Sequence, residues 1–168
     1  LNDWMNGYSS KNTPLAARFS DEFERDFHLA SEKERGSTID LIITDESKST
    51  LTWERDEKYP DVIQIMLKEK LLPNQKIRIS LKYTVKIPSD KFTKYGYGKN
   101  GEMYLKNCFL LPARYENNEF VKYNNLNLDD VANAISDYDI EIKIPYNFDL
   151  FTDLNEIRKE TSTDGSYL

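Results

Sequence analysis

The stretch Lys76-Ile-Arg-Ile-Ser-Leu-Lys-Tyr-Thr-Val-Lys-Ile87 decides the fold class of this chain of 168 residues. Polar and apolar side chains alternate along its whole length. Successive side chains of a strand point to opposite faces of a sheet, so the alternation predicts a long strand with one buried and one solvated face. Pro88 should end this strand, because proline has no N–H to donate to a neighbouring strand.

Shorter segments with strand-like patterns lie on both sides of this stretch. They cover residues 39–44, 49–54 and 63–67 before it, and residues 104–111, 119–123, 137–144, 148–154 and 156–161 after it. Turn-forming residues such as Asn117-Asn118 and Pro145 separate them. Strands at such spacing are typical of two packed antiparallel sheets. The sequence therefore predicts a mainly β fold, an antiparallel β-sandwich over residues 37–168.

The first 36 residues have a helical pattern instead. Asn12-Thr13-Pro14 provides a capping residue followed by a proline, which is typical of a helix start. Apolar residues then recur every fourth position: Leu15, Phe19, Phe23 and Phe27. This predicts an amphipathic helix of about four turns, ending near Gly36, whose Phe stripe faces the core. We interpret residues 1–36 as a helical segment or insertion that forms one accessory domain with residues 37–168.

Charge and hydropathy argue against two classes of partner. The chain has 23 Lys and Arg against 29 Asp and Glu, and its pI is about 4.9. We expect no nucleic-acid partner, because phosphate-backbone binding needs clustered basic residues. We also expect no membrane span, since no apolar stretch is long enough. The chain begins with Leu1 rather than Met, which suggests an interior piece of a longer protein and leaves cell envelope and cytoplasm both open.

The sequence offers no set of catalytic or metal-ligating residues. His28 is the only histidine, whereas catalytic zinc usually has several His ligands, or His with carboxylates. One His also provides only one base, and no Gly-x-Ser-x-Gly turn is present. The only cysteine, Cys108, lies in an apolar run and should be a buried structural thiol. We therefore predict no catalytic residue, cofactor or metal in this chain.

A glycine-rich segment matches a nucleotide-binding pattern in its letters alone. Residues 96–101 read Gly-Tyr-Gly-Lys-Asn-Gly, which fits Gly-x-Gly-x-x-Gly. A dinucleotide site also needs a helix after the glycines, but residues 102–111 have a strand-like pattern. Asn100-Gly101 is a common tight-turn pair. We interpret the segment as a surface loop.

Three segments together resemble a known family. They are Leu-Lys-Tyr-Thr-Val-Lys-Ile-Pro-Ser-Asp-Lys-Phe (81–92), Gly-Glu-Met-Tyr-Leu-Lys-Asn-Cys-Phe-Leu-Leu-Pro-Ala-Arg-Tyr (101–115) and Ser-Asp-Tyr-Asp-Ile-Glu-Ile-Lys-Ile-Pro (136–145). Their order and spacing resemble the N-terminal β-domain of the aminopeptidase N family of zinc metallopeptidases. The resemblance implies saddle-shaped sheets that wall the substrate cleft. It also implies a partner, the protein's own catalytic domain, which would hold the zinc and share a peptide substrate with this domain.

The resemblance also points to two residues at the substrate cleft, Asn107 and Phe109. In the family, a loop with the pattern Thr-Gln-x-Glu precedes Ala-Arg, and its acidic or amide residue holds the substrate's amino terminus. Residues 106–109 occupy these positions here. Asn107 can supply an amide, whereas Phe109 can neither accept a hydrogen bond nor carry charge. The parent protein is then an endopeptidase, a different exopeptidase or a divergent non-peptidase relative.

A second hypothesis is a stand-alone β-sandwich that binds a carbohydrate or a partner protein. Tyr95 and Tyr97 flank the glycine-rich loop and could stack on a sugar ring. A third is a scaffold derived from a degenerate peptidase. The sequence encoded after Leu168 separates them, because the leading hypothesis requires His-Glu-x-x-His within about one domain's length.

Overall fold

Antiparallel strand pairs dominate the computed structural model, which describes residues 1–121, 134–145, 147–155 and 160. The strands are β1 (Ser37–Asp45), β2 (Thr52–Arg55), β3 (Ile63–Met66), β4 (Ile79–Lys86), β5 (Gly96–Tyr97), β6 (Met103–Tyr104), β7 (Tyr115–Glu116) and β8 (Glu119–Phe120). They pair as β1–β4, β2–β3, β5–β6 and β7–β8. Strands account for 28% of the described residues and helices for 15%, which confirms a sheet-rich chain. The sandwich itself stays a prediction.

Residues 79–86 of the long alternating stretch form β4, as the pattern predicts, whereas residues 76–78 and 87 lie outside the strand. Its apolar residues are half-buried, whereas Ser80, Lys82 and Thr84 are exposed. It pairs with β1 in a register that places Leu81 opposite Ile43. The register shifts between Ile39 and Ile42, where Asp40 has a φ of 55°. A bulge of this kind adds one residue to the strand without ending the pairing.

β1 and β2 are joined by a tight turn that Asp45 organises. Asp45 Oδ1 accepts hydrogen bonds from the backbone N–H groups of Ser47 and Ser49, at 3.0 and 2.9 Å. The N–H of Leu51 donates to the carbonyl of Ile43 at 2.9 Å, and Thr50 bridges to Thr44. These bonds connect the end of β1 to the start of β2. The turn therefore joins the β1–β4 ladder to the β2–β3 ladder.

The first residues of the chain form backbone bridges to the segment just before β3. Asn2 bridges antiparallel to both Val62 and Leu111. The N–H of Asp3 donates to the carbonyl of Asp61 at 2.7 Å. Residues 1–3 are therefore in the same compact unit as the strands, which spans Leu1–Ala134; a second unit spans Ile135–Leu168.

Four short helices complete the first unit. They are the 3₁₀-helix η1 (Trp4–Tyr8) and the α-helices α1 (Pro14–Asp21), α2 (Asp26–Leu29) and α3 (Asp90–Thr93), which are all the helices among the described residues. Thr13 caps α1, as predicted, since its Oγ1 accepts from the N–H of Ala16 at 3.1 Å. Sequence reasoning missed η1, which has no periodic pattern.

The prediction of one helix from Pro14 to near Gly36 is wrong. After α1, the N–H of Phe23 donates to Ser20 O at 3.1 Å, and that of Glu24 donates to Phe19 O at 2.8 Å. This bond pair is a Schellman motif, which ends a helix and needs a left-handed residue next to its end. Phe23 occupies that position with a φ of 60°, and its side chain is 90% exposed rather than in the core.

Two apolar clusters form the core of the first unit. The first joins η1, α1, α2 and α3 and consists of Met5, Tyr8, Leu15, Ala16, Phe19, Phe27, Ala30 and Phe92. The second is built on Ile43 of β1 and Ile63 of β3, together with Leu51 and Leu110, which lie outside the strands. The rings of Phe19 and Phe27 stack, with 5.1 Å between their centroids. The end of α1 between them therefore leaves both rings inside the first cluster.

The predicted strand over residues 104–111 is mostly wrong. β6 ends at Tyr104, and Asn107 has a φ of 52°, which no extended strand accommodates. The glycine-rich segment before it is the turn of the β5–β6 hairpin, where the N–H of Gly98 donates to Glu102 O at 2.9 Å. The loop interpretation is thereby confirmed, because β6 follows the glycines where a nucleotide site needs a helix.

Two other turns bear on the sequence predictions. Asn117 and Asn118 both have positive φ, at 51° and 67°, and connect β7 to β8 as a two-residue hairpin turn. In the second unit, the predicted strands are not formed over residues 137–143 and 148–154. Alternation nevertheless persists there, since Ile140 and Ile142 are half-buried between exposed neighbours. The prediction for residues 156–161 lies outside the described residues, apart from residue 160.

The contact between Glu34 and Lys91 predicts a measurable titration. Hydrogen bonds from Lys91 and then Ser31 lower the pKa of the Glu34 carboxyl from 4.5 to about 2. A depressed folded-state pKa stabilises the fold above about pH 4.5, and this contribution is lost as the pH falls towards 2. Carboxyl ¹³C NMR should therefore find a Glu34 midpoint near 2, and Lys91→Met should raise it towards 4.5. Lys94→Met, at an exposed neighbour, should leave it unchanged; an unperturbed midpoint in the unsubstituted chain contradicts the contact.

Candidate functional site

A cleft of about 440 Å³ lies in the first unit, between η1, α1 and the loops that follow α3 and β6. We call it the aromatic cleft. Its aromatic lining consists of Trp4, Tyr8, Phe19, Phe92 and Tyr95. Its polar and charged lining includes Arg18, Glu22, Glu24, Lys94, Lys106 and Asn107. The accessible lining is mixed, with polar groups contributing as much of it as apolar ones, and the volume falls in the range of roughly 300–1,000 Å³ found for small-ligand sites.

Trp4 is held in the cleft wall by a buried polar network under η1. Asp3 caps this 3₁₀-helix, since its Oδ1 accepts from the N–H of Asn6 at 3.3 Å. Asp3 is itself held by Thr38 Oγ1 at 2.7 Å and by the Arg55 guanidinium at 2.7 Å. This network fixes the Trp4 side chain, which is only 2% exposed. Its indole Nε1 has no hydrogen-bond partner within the described part of the chain.

Arg18 reaches the cleft from α1. Its Nε lies 2.7 Å from Glu22 Oε1, one helical turn further on. Its Nη1 is buried and has no hydrogen-bond partner among the residues described. Arg18 therefore has one donor that is engaged by Glu22 and one buried donor without an acceptor among the described residues.

Tyr95 and Lys106 also line the cleft, and their side chains contact each other. Lys106 Nζ lies 4.9 Å from the centroid of the Tyr95 ring and 3.3 Å from its hydroxyl oxygen. Lys94, beside them, is the left-handed residue that ends α3, with a φ of 58°. The cation–π contact fixes the Lys106 stem and leaves a positive charge next to the cleft.

The structure separates the two residues that the resemblance singled out. Asn107 lines the aromatic cleft, and its left-handed backbone places it at the turn of the loop after β6. Phe109 does not line it, and its side chain is 47% exposed. Cys108, between them, packs against the first core cluster, and burial raises the pKa of its thiol. Since nucleophilic cysteines need a lowered pKa, Cys108 has the character of a structural thiol.

Zinc has no set of ligands in the part of the chain that the structure describes. His28 Nε2 lies 2.8 Å from Ser20 Oγ and 3.2 Å from the carbonyl of Ala16, so it closes α2 onto α1. No group of three or more His, Cys, Asp or Glu side chains in the described ranges could hold a metal ion. None of the described helices is both long and apolar enough to cross a membrane.

The chain has no significant match to any protein-family model, curated protein or solved structure. Sequence reasoning missed Trp4 and Arg18 as cleft residues, because they are far from Asn107 along the chain. The buried, unpartnered donors that distinguish them become visible only in the folded structure.

Proposed function

We propose that this chain is a non-catalytic domain that walls the substrate cleft of a zinc metallopeptidase similar to aminopeptidase N. The observation that carries the proposal is the position of Asn107 on the aromatic cleft. The resemblance over residues 81–92 and 101–115 assigns this loop to the substrate side, and a cleft lies at that loop. The zinc and the catalytic groups would belong to a following domain.

The proposed architecture is an antiparallel β-sandwich with saddle-shaped sheets. The β1–β4 and β2–β3 ladders support it, because each has one apolar face that contributes to a shared core cluster. An exposed apolar group close to Asn107 supports a partner domain: Met103, Tyr104, Leu105 and Phe109 are each about half exposed. Exposed apolar patches are typical of surfaces that contact another domain.

The accessory role predicts that the chain alone does not cleave peptides. Incubated with zinc and aminoacyl-anilide substrates, it should give no turnover above a heat-denatured sample, because one His cannot form a catalytic zinc site. His28→Ala is the matched control. Turnover by the chain that survives in His28→Ala would overturn the accessory role.

The gene provides the complementary test. The reading frame downstream of Leu168 should encode His-Glu-x-x-His within about one domain's length. A frame that continues without this motif, or that ends at Leu168, would favour a stand-alone binding module for a carbohydrate or a partner protein. Tyr95 supports this alternative, because its aromatic ring lines the cleft, is 42% exposed and could stack on a sugar.

A further inference from the structure

We propose that Asn100 is a site of spontaneous modification, at which the side-chain amide is lost and the residue becomes aspartate or isoaspartate. The proposal uses only the tip of the β5–β6 hairpin, so it goes beyond the accessory role and does not depend on it. It rests on three features: the exposure of the Asn100 amide, the glycine that follows it, and the contrast with a second Asn-Gly pair in η1.

The reaction needs an asparagine side chain that the next backbone nitrogen can reach. The nitrogen of Gly101, after giving its proton to a base in solution, forms a bond to Cγ of Asn100. The Cγ–Nδ2 bond breaks, and Nδ2 leaves as ammonia with a proton from water. Water then opens the resulting cyclic imide at one of its two carbonyls, which gives aspartate or isoaspartate. Water is therefore the only co-reactant, and nothing is oxidised or reduced.

The first feature is that the reacting groups of Asn100 and Gly101 are accessible. Both residues are exposed. The backbone N–H of Asn100 donates to Glu102 Oε2 at 3.0 Å, whereas its side-chain amide has no partner in the described part of the chain. The N–H of Gly101 donates to the carbonyl of Gly98 at 3.4 Å, which is longer than an ordinary hydrogen bond. Neither the carbon under attack nor the attacking nitrogen is therefore held by a strong contact.

The second feature is that the turn itself requires the glycine that makes Asn100 reactive. Residues 99–101 form a loop closed by the hydrogen bond from the N–H of Gly98 to Glu102 O. Gly101 has a φ of 91°, which is typical of the last residue of a three-residue hairpin loop. A Cβ at Gly101 would meet no atom within 4 Å, so the backbone conformation, not lack of space, favours glycine. The same missing Cβ leaves the Gly101 nitrogen unshielded.

The third feature is that Asn6-Gly7 contains the same two residues in a protected setting. Both lie in η1 and are buried. Asn6 Nδ2 donates to the carbonyl of Pro60 at 2.7 Å, and the backbone N–H of Asn6 donates to the carbonyl of Asp3 at 3.0 Å. The imide ring cannot close until these bonds break, and such local opening costs free energy that lowers the rate. The fold therefore directs the reaction to Asn100.

Mass spectrometry of peptic peptides can test this proposal on samples aged at mildly alkaline pH. In the folded chain, Asn100 should lose its amide at least about tenfold faster than Asn6, because each 1.4 kcal/mol or so of opening free energy slows a reaction about tenfold. In guanidinium chloride the two residues should convert at similar rates, since the fold no longer protects Asn6. Asn118 is exposed but precedes Glu119, so it should stay intact over the same period.

Ion-exchange chromatography of the intact chain provides a second measurement, because loss of the amide adds one negative charge. Asn100→Gln should remove most of the acidic species that accumulates on ageing, since the longer side chain must close a larger ring. Asn118→Gln is the matched control and should leave that species unchanged.

Three results would contradict the proposal. They are an Asn100 that stays intact in the folded chain but converts in denaturant, equal rates at Asn100 and Asn6 in the folded chain, and an acidic species that persists in Asn100→Gln. All three are independent of the downstream His-Glu-x-x-His motif, so failure of this proposal and failure of the accessory role are distinguishable.

Discussion

Phe27→Ala is expected to lower the free energy of unfolding of the first unit by about 3–5 kcal/mol. Phe27 is fully buried, with an exposure of 0%. Its ring lies 5.1 Å from that of Phe19 and 5.2 Å from that of Phe92, measured between centroids. Truncation removes these contacts and leaves a cavity that three surrounding helices hold open, so little of the loss can be recovered by relaxation.

Urea denaturation followed by tryptophan fluorescence measures this loss. Phe23→Ala is the matched control, because it removes the same side chain four residues earlier, at a site that is 90% exposed. We expect a change within about 0.5 kcal/mol there. Equal losses at the two positions would contradict the helix break and would restore the single helix that the sequence pattern predicts.

The contrast between these two Phe residues shows how far sequence reasoning reaches. Residues 79–86 and 37–45 were predictable, because alternation reports a strand wherever one face is buried. The four-residue stripe in the first segment was misleading, because nothing in its period identifies Phe23 as the end of a helix. A glycine at that position would have indicated a Schellman motif, whereas a bulky residue with positive φ is rare.

The cleft was less predictable than the sheets. Asn107 emerged only from a family resemblance, and the apolar run around it was interpreted as a strand. Trp4 and Arg18 carry no local signal, since a tryptophan in an aperiodic segment and an arginine on a helix are ordinary in sequence. What distinguishes them is a buried donor without an acceptor, and such a property depends on contacts made across the fold.

Arg55→Met is expected to cost about 3 kcal/mol of stability, the lower end of the range for breaking a buried ion pair. Asp3 is 2% exposed and lies 2.7 Å from Arg55 Nη2, while the Arg55 side chain keeps 22% exposure. Without the guanidinium, the buried Asp3 carboxylate loses its ion-pair partner. It keeps only the hydrogen bonds from Thr38 and from the N–H of Asn6, and the coulombic attraction of the Leu1 ammonium. Methionine fills a similar volume, so the loss reports on the ion pair with Asp3 and on the hydrogen bond from Arg55 Nη1 to the Pro60 carbonyl at 2.9 Å, rather than on packing.

Lys68→Met is the matched control, because Lys68 also pairs with an aspartate at 2.7 Å but is 54% exposed. Exposed pairs contribute about 0–1 kcal/mol, so its stability should change little. Adding Asp3→Asn to Arg55→Met should recover part of the loss, since a neutral amide replaces the unpaired charge and still accepts from Thr38. Because Asp3 caps the 3₁₀-helix that begins with Trp4, Arg55→Met should also shift the Trp4 indole N–H in ¹H–¹⁵N NMR spectra, which resolve it from the indole of Trp53, the other ring near Arg55. Equal losses in the Arg55 and Lys68 variants, with an unchanged Trp4 indole N–H signal, would show that this network does not hold the cleft wall.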